Sequence, residues 1–169
     1  MIVPIRRPLP LGAPPSASLR RWLLSTGSLT AALRRLADGQ LAVDLHGQYL
    51  RPLRPQERRL WPVHAGSRSV LVRQVTLRGQ GEAWIEACSL LPTRALRAWA
   101  RPLRDLGNRP LGARLFRFRH LRRSAPQAYR SAAGHWQRHS FFAPGSGCPI
   151  LVAETFLPAL QRRIEESLS

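Results

Sequence analysis

Apolar residues recur first at helical spacing and then, from Gln40 onward, at every second position. Ser18 can cap a short helix through Leu24. Ser28 can cap a second, whose Leu29, Leu33 and Leu36 share a face before Asp38-Gly39 stops it. In the period-two region LAVDLHGQYLRPL reads as a tight hairpin, and SVLVRQVTLRGQGEAWIEACSLLP as a longer one turning at Gly79-Gln80-Gly81. A helical stretch follows from about Thr93 to Leu106. In LFRFRHL, Phe116 and Phe118 alternate with Arg117 and Arg119, the pattern of a half-exposed strand. A last hairpin runs from HWQRHSFF through APGSGC to PILVAETFLP, and the polar tail QRRIEESLS closes the chain. Strands in runs, with helices grouped beside them, predict an α+β domain built on a single antiparallel sheet backed by helices, not a parallel βαβ sheet. The Pro-rich residues 1–17 read as an extended, weakly ordered arm, and 18–169 as the folded domain.

Two charged residues interrupt this pattern on its apolar side. Alternation along Ser69 to Leu77 places Arg73 with Leu71, Val75 and Leu77. The same count from Ile150 to Phe156 places Glu154 with Ile150, Val152 and Phe156. A guanidinium or carboxylate pointed into an apolar interior needs a counter-charge or a hydrogen-bonded ligand. Three arrangements satisfy that need: the two groups pair with each other, both reach water at strand ends, or they grip a ligand. In the third, Arg73 forks onto a carboxylate and Glu154 faces a hydroxyl.

Composition narrows the chemistry. Length allows one domain with one substantial core. The net charge is +18, and all 27 basic residues are arginine. Between Glu86 and Glu154 the only acid is Asp105, which makes that region attractive to anions. Arginine without lysine beside abundant Ala, Leu and Pro also fits GC-rich codon usage and a solvated surface. A nucleic-acid reading rests on this charge and on RLFRFRHLRR. Against it, the arginines are dispersed and the second helix of the amino-terminal pair has few base-reading groups, so no specific nucleic acid is expected. Cys88 and Cys148 read as free thiols in a reducing cytosol. The amino-terminal stretch, broken by five prolines, does not read as a signal peptide, and no run of apolar residues suggests membrane insertion. His46, His64, His120, His135 and His139 are scattered without metal-ligand spacing, so no metal is expected. No G-x-G-x-x-G or Walker loop follows a strand, and no G-x-S-x-G elbow is present, which argues against a nucleotide cofactor and against hydrolase chemistry. The five tryptophans read as core or rim residues.

The segments WLLSTGSLT, SVLVRQVTL, GEAWIEACSLLP, LGNRPLGARLF and ILVAETFLP, in this order and at these separations, resemble the bacterial chorismate pyruvate-lyases that open ubiquinone synthesis. The likeness spans about Leu19 to Pro158. Its most specific parts are G-x-x-P-L-G-x-x-L-F and E-x-F-L-P. The ligand-binding domains of some transcription regulators share the fold but lack these segments in combination. The resemblance implies a six-stranded antiparallel sheet with helices over an internal ligand cavity. It also implies a cofactor-free, monomeric, cytoplasmic enzyme that converts chorismate to 4-hydroxybenzoate and pyruvate. Arg73 matches the family's carboxylate-binding arginine and Glu154 its acidic residue near the ring hydroxyl. Leu29 and Leu111 match two further ligand contacts, which act through backbone N–H groups and apolar packing, since leucine carries no polar side-chain atom. Both lie near predicted helix starts, where free N–H groups favour anions. Leu29 would belong to a flap that shuts out water, and a closed apolar pocket suits slow release of the aromatic product. The chain departs from the family pattern in three ways. Cys88 stands where members commonly carry an arginine, for which Arg94 is the nearby substitute. The high positive charge and the Pro-rich arm are the other two.

Overall fold

A computed structural model describes residues 14–61 and 67–167. Most of the predicted Pro-rich arm, and His64, lie outside these residues. Helices α1 (Ala17–Leu24) and α2 (Leu29–Leu36) open the fold. The cap of α1 is Ser16 and not Ser18, which lies inside the helix: the Ser16 hydroxyl accepts from the Leu19 N–H at 3.2 Å. Ser28 caps α2 as predicted, accepting from the Ala31 N–H. The helix stops at Asp38 and Gly39, both at positive φ, where the Gly39 N–H donates to the Arg34 carbonyl and the Asp38 N–H to that of Arg35, a Schellman ending.

The sheet has seven strands: β1 (Leu41–Pro52), β2 (Ser69–Gly79), β3 (Glu82–Pro92), β4 (Leu121–Arg123), β5 (Gln127–Arg130), β6 (Trp136–Pro144) and β7 (Ile150–Phe156). They run in the order β1-β2-β3-β7-β6-β4, and β5 also pairs with β6. Every pairing is antiparallel. The short β4 and β5 share one edge of β6, so the seven strands occupy six positions, in keeping with the α+β sheet expected.

Two elements differ from the sequence reading. LAVDLHGQYLRPL is one continuous strand, not a hairpin: β1 pairs with β2 along its whole length, and His46 is the extra residue of a bulge where the register shifts between Leu45 and Gly47. LFRFRHL is not a strand either. Leu111–Leu115 forms the short helix α5, and turns carry the chain on to β4. Leu111, Leu115 and Phe118, spaced by four and then three, all pack into the same apolar cluster, and this helical spacing prevails over the local Phe/Arg alternation. The predicted helix from Thr93 winds irregularly. A turn of α-helix, Thr93–Ala95 (α4), opens into the π-wound Leu96–Ala100 and tightens to a 3₁₀ turn, Arg101–Leu103, at Pro102. The polar tail is helical, α6 (Pro158–Glu166), with Leu160 and Ile164 buried.

All of the longer helices cover one face of the sheet. Under α1, α2 and α6 lie Val43, Leu77, Ile85 and Phe156. Under α5 and the Thr93–Leu103 stretch lie Leu71, Leu91, Phe142 and Val152. The opposite face carries a smaller cluster of Val70, Val72, Cys88, Leu90, Leu151 and Ala153 beneath Leu53 and Trp61, next to the short helix α3 (Pro55–Arg58). Buried there, Glu57 takes a two-pronged ion pair from Arg51. On that face too, Tyr129 and His139 share a hydrogen bond between Oη and Nε2.

Burial pushes the His139 imidazole down to about 4 from 6.5. The folded chain therefore keeps the ring neutral where the unfolded chain would protonate it. The stabilisation is complete above pH 6.5 and is lost as pH falls from 6.5 toward 4. Going from pH 7 to pH 5, urea unfolding is expected to show a loss of about 2 kcal/mol from this group. The His139→Gln variant should lack that component, and equal losses in both proteins would refute the assignment.

Candidate active site

Between the two apolar clusters on the helix-covered face runs a belt of polar side chains. Its residues follow from register. Arg73 lies opposite Ser89, Ser89 opposite Val152, and Val152 opposite Ser140. One step along, Ala87 lies opposite Glu154, and Glu154 opposite Arg138. Arg73, Ser89, Arg138 and Ser140 are buried, and their side chains point the same way because each strand alternates.

Arg73 is 2% exposed. Its Nη2 donates to the carbonyls of Gly107 (2.8 Å) and Arg109 (2.9 Å), and its Nη1 makes a long contact, 3.5 Å, with the Gln48 amide oxygen. Its Nε finds no acceptor among the described residues. Burial pushes its pKa down. This cation rests on neutral oxygens alone, which costs more than a carboxylate partner would.

Glu154 does not pair with Arg73. Its partner is Arg138, whose Nε donates to Oε2 at 2.5 Å. Sequence reasoning missed Arg138, although the signal was present. Counting alternate positions through HWQRHSFF puts Arg138 between Trp136 and Phe142 on the apolar face, as the same count did for Arg73. Arg138 also donates through Nη1 to the carbonyls of Trp22 (2.8 Å) and Ser25 (3.3 Å). Arg123 was missed as well: the strand read from the sequence, LFRFRHL, ends at Leu121, whereas β4 runs Leu121–Arg123. Its Nη1 donates to the carbonyls of Ser25 (3.3 Å) and Gly27 (3.0 Å), and its Nη2 to Ser140 Oγ (2.9 Å). Two arginines of the sheet thus hold the connection between α1 and α2.

Leu29, Leu111 and Glu154 line one cavity, with Thr30, Gly112, Phe142, Arg123 and Arg138 among its other walls. Leu29 and Leu111 are the first residues of α2 and α5. A Cβ on Gly112 would lie 2.7 Å from Thr30 Oγ1, so glycine is what lets α5 approach α2 this closely. Arg73 is not in this wall; it sits two strands from Val152, which is. The cavity volume is about 30 Å³, room for a water but not for a six-membered ring. A depression of about 150 Å³ lies outside it, bounded by Arg21, Trp22, Ser25, Leu29, Ala32 and Arg138. Leu29 and Arg138 line both hollows, so the α1–α2 connection forms the partition. A wider hollow, about 830 Å³, is an open groove by Trp61, Phe141 and the Gly145–Pro149 turn; among the described residues its wall has no acid and shares Arg123 with the inner cavity.

Cys88 faces away from this site. It lies opposite Gln74, one residue out of phase with Arg73, in the cluster on the far face, where burial pushes its thiol up to about 11. A thiol held protonated there is unreactive at neutral pH. Arg94 lies by the open groove, outside the inner cavity. Among the described residues neither cysteine is in a disulfide. Among the described residues no helix is long and apolar enough to cross a membrane.

The family described as chorismate lyase matches residues 11–165. The chain belongs to this family. It is 34% identical over 156 residues to a probable chorismate pyruvate-lyase of Methylococcus capsulatus, covering 84% of this chain and 96% of that protein. It is 38% identical over 161 residues to another of that name from Thiobacillus denitrificans, covering 85% and 84%. Among solved structures it is similar to the C-terminal domain of a histidine utilization repressor from Pseudomonas syringae pv. tomato, at a TM-score of 0.52 and 7% identity over 70% of this chain and 92% of that one. It is also similar to a possible transcriptional regulator, YydK, from Bacillus subtilis, at 0.52 and 8% over 74% and 60%. At such identities the likeness is one of fold.

Proposed function

We propose that this member of the chorismate lyase family converts chorismate to 4-hydroxybenzoate and pyruvate, the product serving ubiquinone synthesis. The reading is carried by the convergence of Leu29, Leu111 and Glu154 on one buried cavity, beside a buried arginine that holds only neutral oxygens. In the reaction the bond from ring carbon to ether oxygen breaks. The hydrogen on the neighbouring hydroxyl-bearing carbon leaves as a proton, and the departing enolpyruvate gains a proton at its methylene carbon to become pyruvate. Aromatisation drives the step and no redox equivalent is consumed.

Arg73 binds the ring carboxylate, exchanging the carbonyls of Gly107 and Arg109 for an anionic acceptor that gives bonds about twice as strong. Glu154 orients the ring hydroxyl while Arg138 holds it in place. The first-turn N–H groups at Leu29 and the N–H of Leu111 complete the cradle, and the apolar walls favour the planar product. Because the cavity is too small for a ring, α1, α2 and their connection move to admit substrate and close over it, excluding water from the reacting enolpyruvyl arm. Purified protein incubated with chorismate alone is expected to yield 4-hydroxybenzoate, measured by chromatography of the aromatic acids. A yield no greater than that of the spontaneous reaction would falsify the assignment.

A further inference from the structure

Chorismate carries two carboxylates and its aromatic product only one, and the charges buried at the site match the substrate. The helix-covered face carries three guanidiniums, of Arg73, Arg123 and Arg138, and one carboxylate, Glu154, which lines the cavity with Arg123 and Arg138 and which Arg138 already holds at 2.5 Å. Two cations are left, Arg73 and Arg123. We infer that Arg123 takes the second carboxylate, on the enolpyruvyl arm, and so distinguishes the dianionic substrate from the monoanionic product; this rests on the lyase reading above.

Four observations favour Arg123 for this role. Its terminal nitrogens rest on neutral oxygens, the carbonyls of Ser25 and Gly27 and the Ser140 hydroxyl, which a carboxylate would outcompete. Its Nε is buried without an acceptor among the described residues, a donor still to be satisfied. Its guanidinium lies 5.3 Å over the Phe142 ring, which fixes the plane of the fork without neutralising it. It lines the cavity together with Glu154, whereas Arg73 lies beyond the wall. The ether carbon of chorismate adjoins the hydroxyl-bearing carbon, so a hydroxyl at Glu154 brings the enolpyruvyl arm to the Arg123 side, away from the ring carboxylate. Burial and then the neighbouring Arg138 push the Arg123 pKa down, against a smaller upward pull from Glu154. Since Arg123 also grips the α1–α2 connection, a carboxylate that takes over its donors releases Gly27 and leaves Ser25 to Arg138. Substrate binding and flap movement are thereby coupled through one side chain.

The test compares substrate with product on the full chain. In Arg123→Gln the KM for chorismate is expected to rise about 10- to 100-fold, the loss of one or two charge-assisted bonds. The 4-hydroxybenzoate Kd, measured by fluorescence quenching, should change less than about threefold. Unaltered product binding also shows that the variant is folded. Arg123→Lys, which keeps the charge but not the fork, should fall between the two. With wild-type protein, esterifying the enolpyruvyl carboxylate should weaken binding by a similar factor, a measurement that needs no variant. Chorismate KM and product Kd rising in parallel, or an ester bound as tightly as the acid, would overturn the role of Arg123 while leaving the lyase intact. Unconverted chorismate with wild-type protein would instead sink the parent reading.

Discussion

Replacing Arg73 by methionine is expected to weaken 4-hydroxybenzoate binding by about 100-fold or more without lowering the stability of the fold. The two halves of this result have separate causes. A forked pair of charge-assisted hydrogen bonds from guanidinium to carboxylate contributes about 1.5 to 3 kcal/mol per bond, so losing both exceeds two orders of magnitude in affinity. Stability responds differently. In the unliganded chain Arg73 is a cation 2% exposed with no carboxylate partner among the described residues, held by two carbonyls and a long amide contact. Removing a buried, uncompensated charge in favour of an apolar side chain of similar length is neutral or stabilising in comparable settings. Ligand titration and urea unfolding on one protein sample read both quantities. Product affinity that survives the change would remove Arg73 from the site. A large fall in stability would show that its hydrogen bonds to Gly107 and Arg109 are structural.

Arg138→Ala should show the opposite balance, a loss of about 3 to 5 kcal/mol in stability by urea unfolding. The side chain is fully enclosed and makes three contacts: the ion pair with Glu154, the bond to the Trp22 carbonyl and a bond to the Ser25 carbonyl that it shares with Arg123. Its removal takes the ion-pair partner from the largely buried Glu154 carboxylate and leaves Arg123 to hold the α1–α2 connection to the sheet. Since the penalty is that of an unpaired buried carboxylate, the double replacement Arg138→Met with Glu154→Leu should recover much of the stability while leaving no turnover. A single-variant loss below about 1 kcal/mol would mean that water reaches Glu154 and that the pair is a surface contact in effect.

The differences between sequence reading and structure have specific causes. Arg73 and Glu154 were legible because each breaks the alternation of a strand bounded by clear turns, and a charge on an apolar face stands out against a period of two. Arg138 offered the same signal and was passed over amid twelve arginines between Glu86 and Glu154. Arg123 could not be read at all while Phe116 and Phe118 were counted as strand residues, since the helix that displaces that strand is selected by the burial of Leu111, Leu115 and Phe118 against Trp99, Phe142 and Ile150. In LAVDLHGQYLRPL, read as a tight hairpin, Gly47 follows the extra residue of a bulge within one continuous strand. Pairing to the full length of β2 decides between those two, and no window of twelve residues contains that partner.

By itself the sequence determined the α+β class, the two amino-terminal helices, the Gly79–Gly81 and carboxy-terminal hairpins and the faces of Arg73 and Glu154. These follow from local periodicity, capping and turn chemistry, which act over a few residues. Only the tertiary structure decided that Glu154 is held by Arg138, that Arg73 rests on carbonyls 34 and 36 residues away, and that Leu29, Leu111 and Glu154 meet at one cavity. Those facts depend on register across β3, β7 and β6 and on the close approach that Gly112 allows between α5 and α2. A partner distant in the chain is chosen by packing the whole face at once, and no local pattern encodes it.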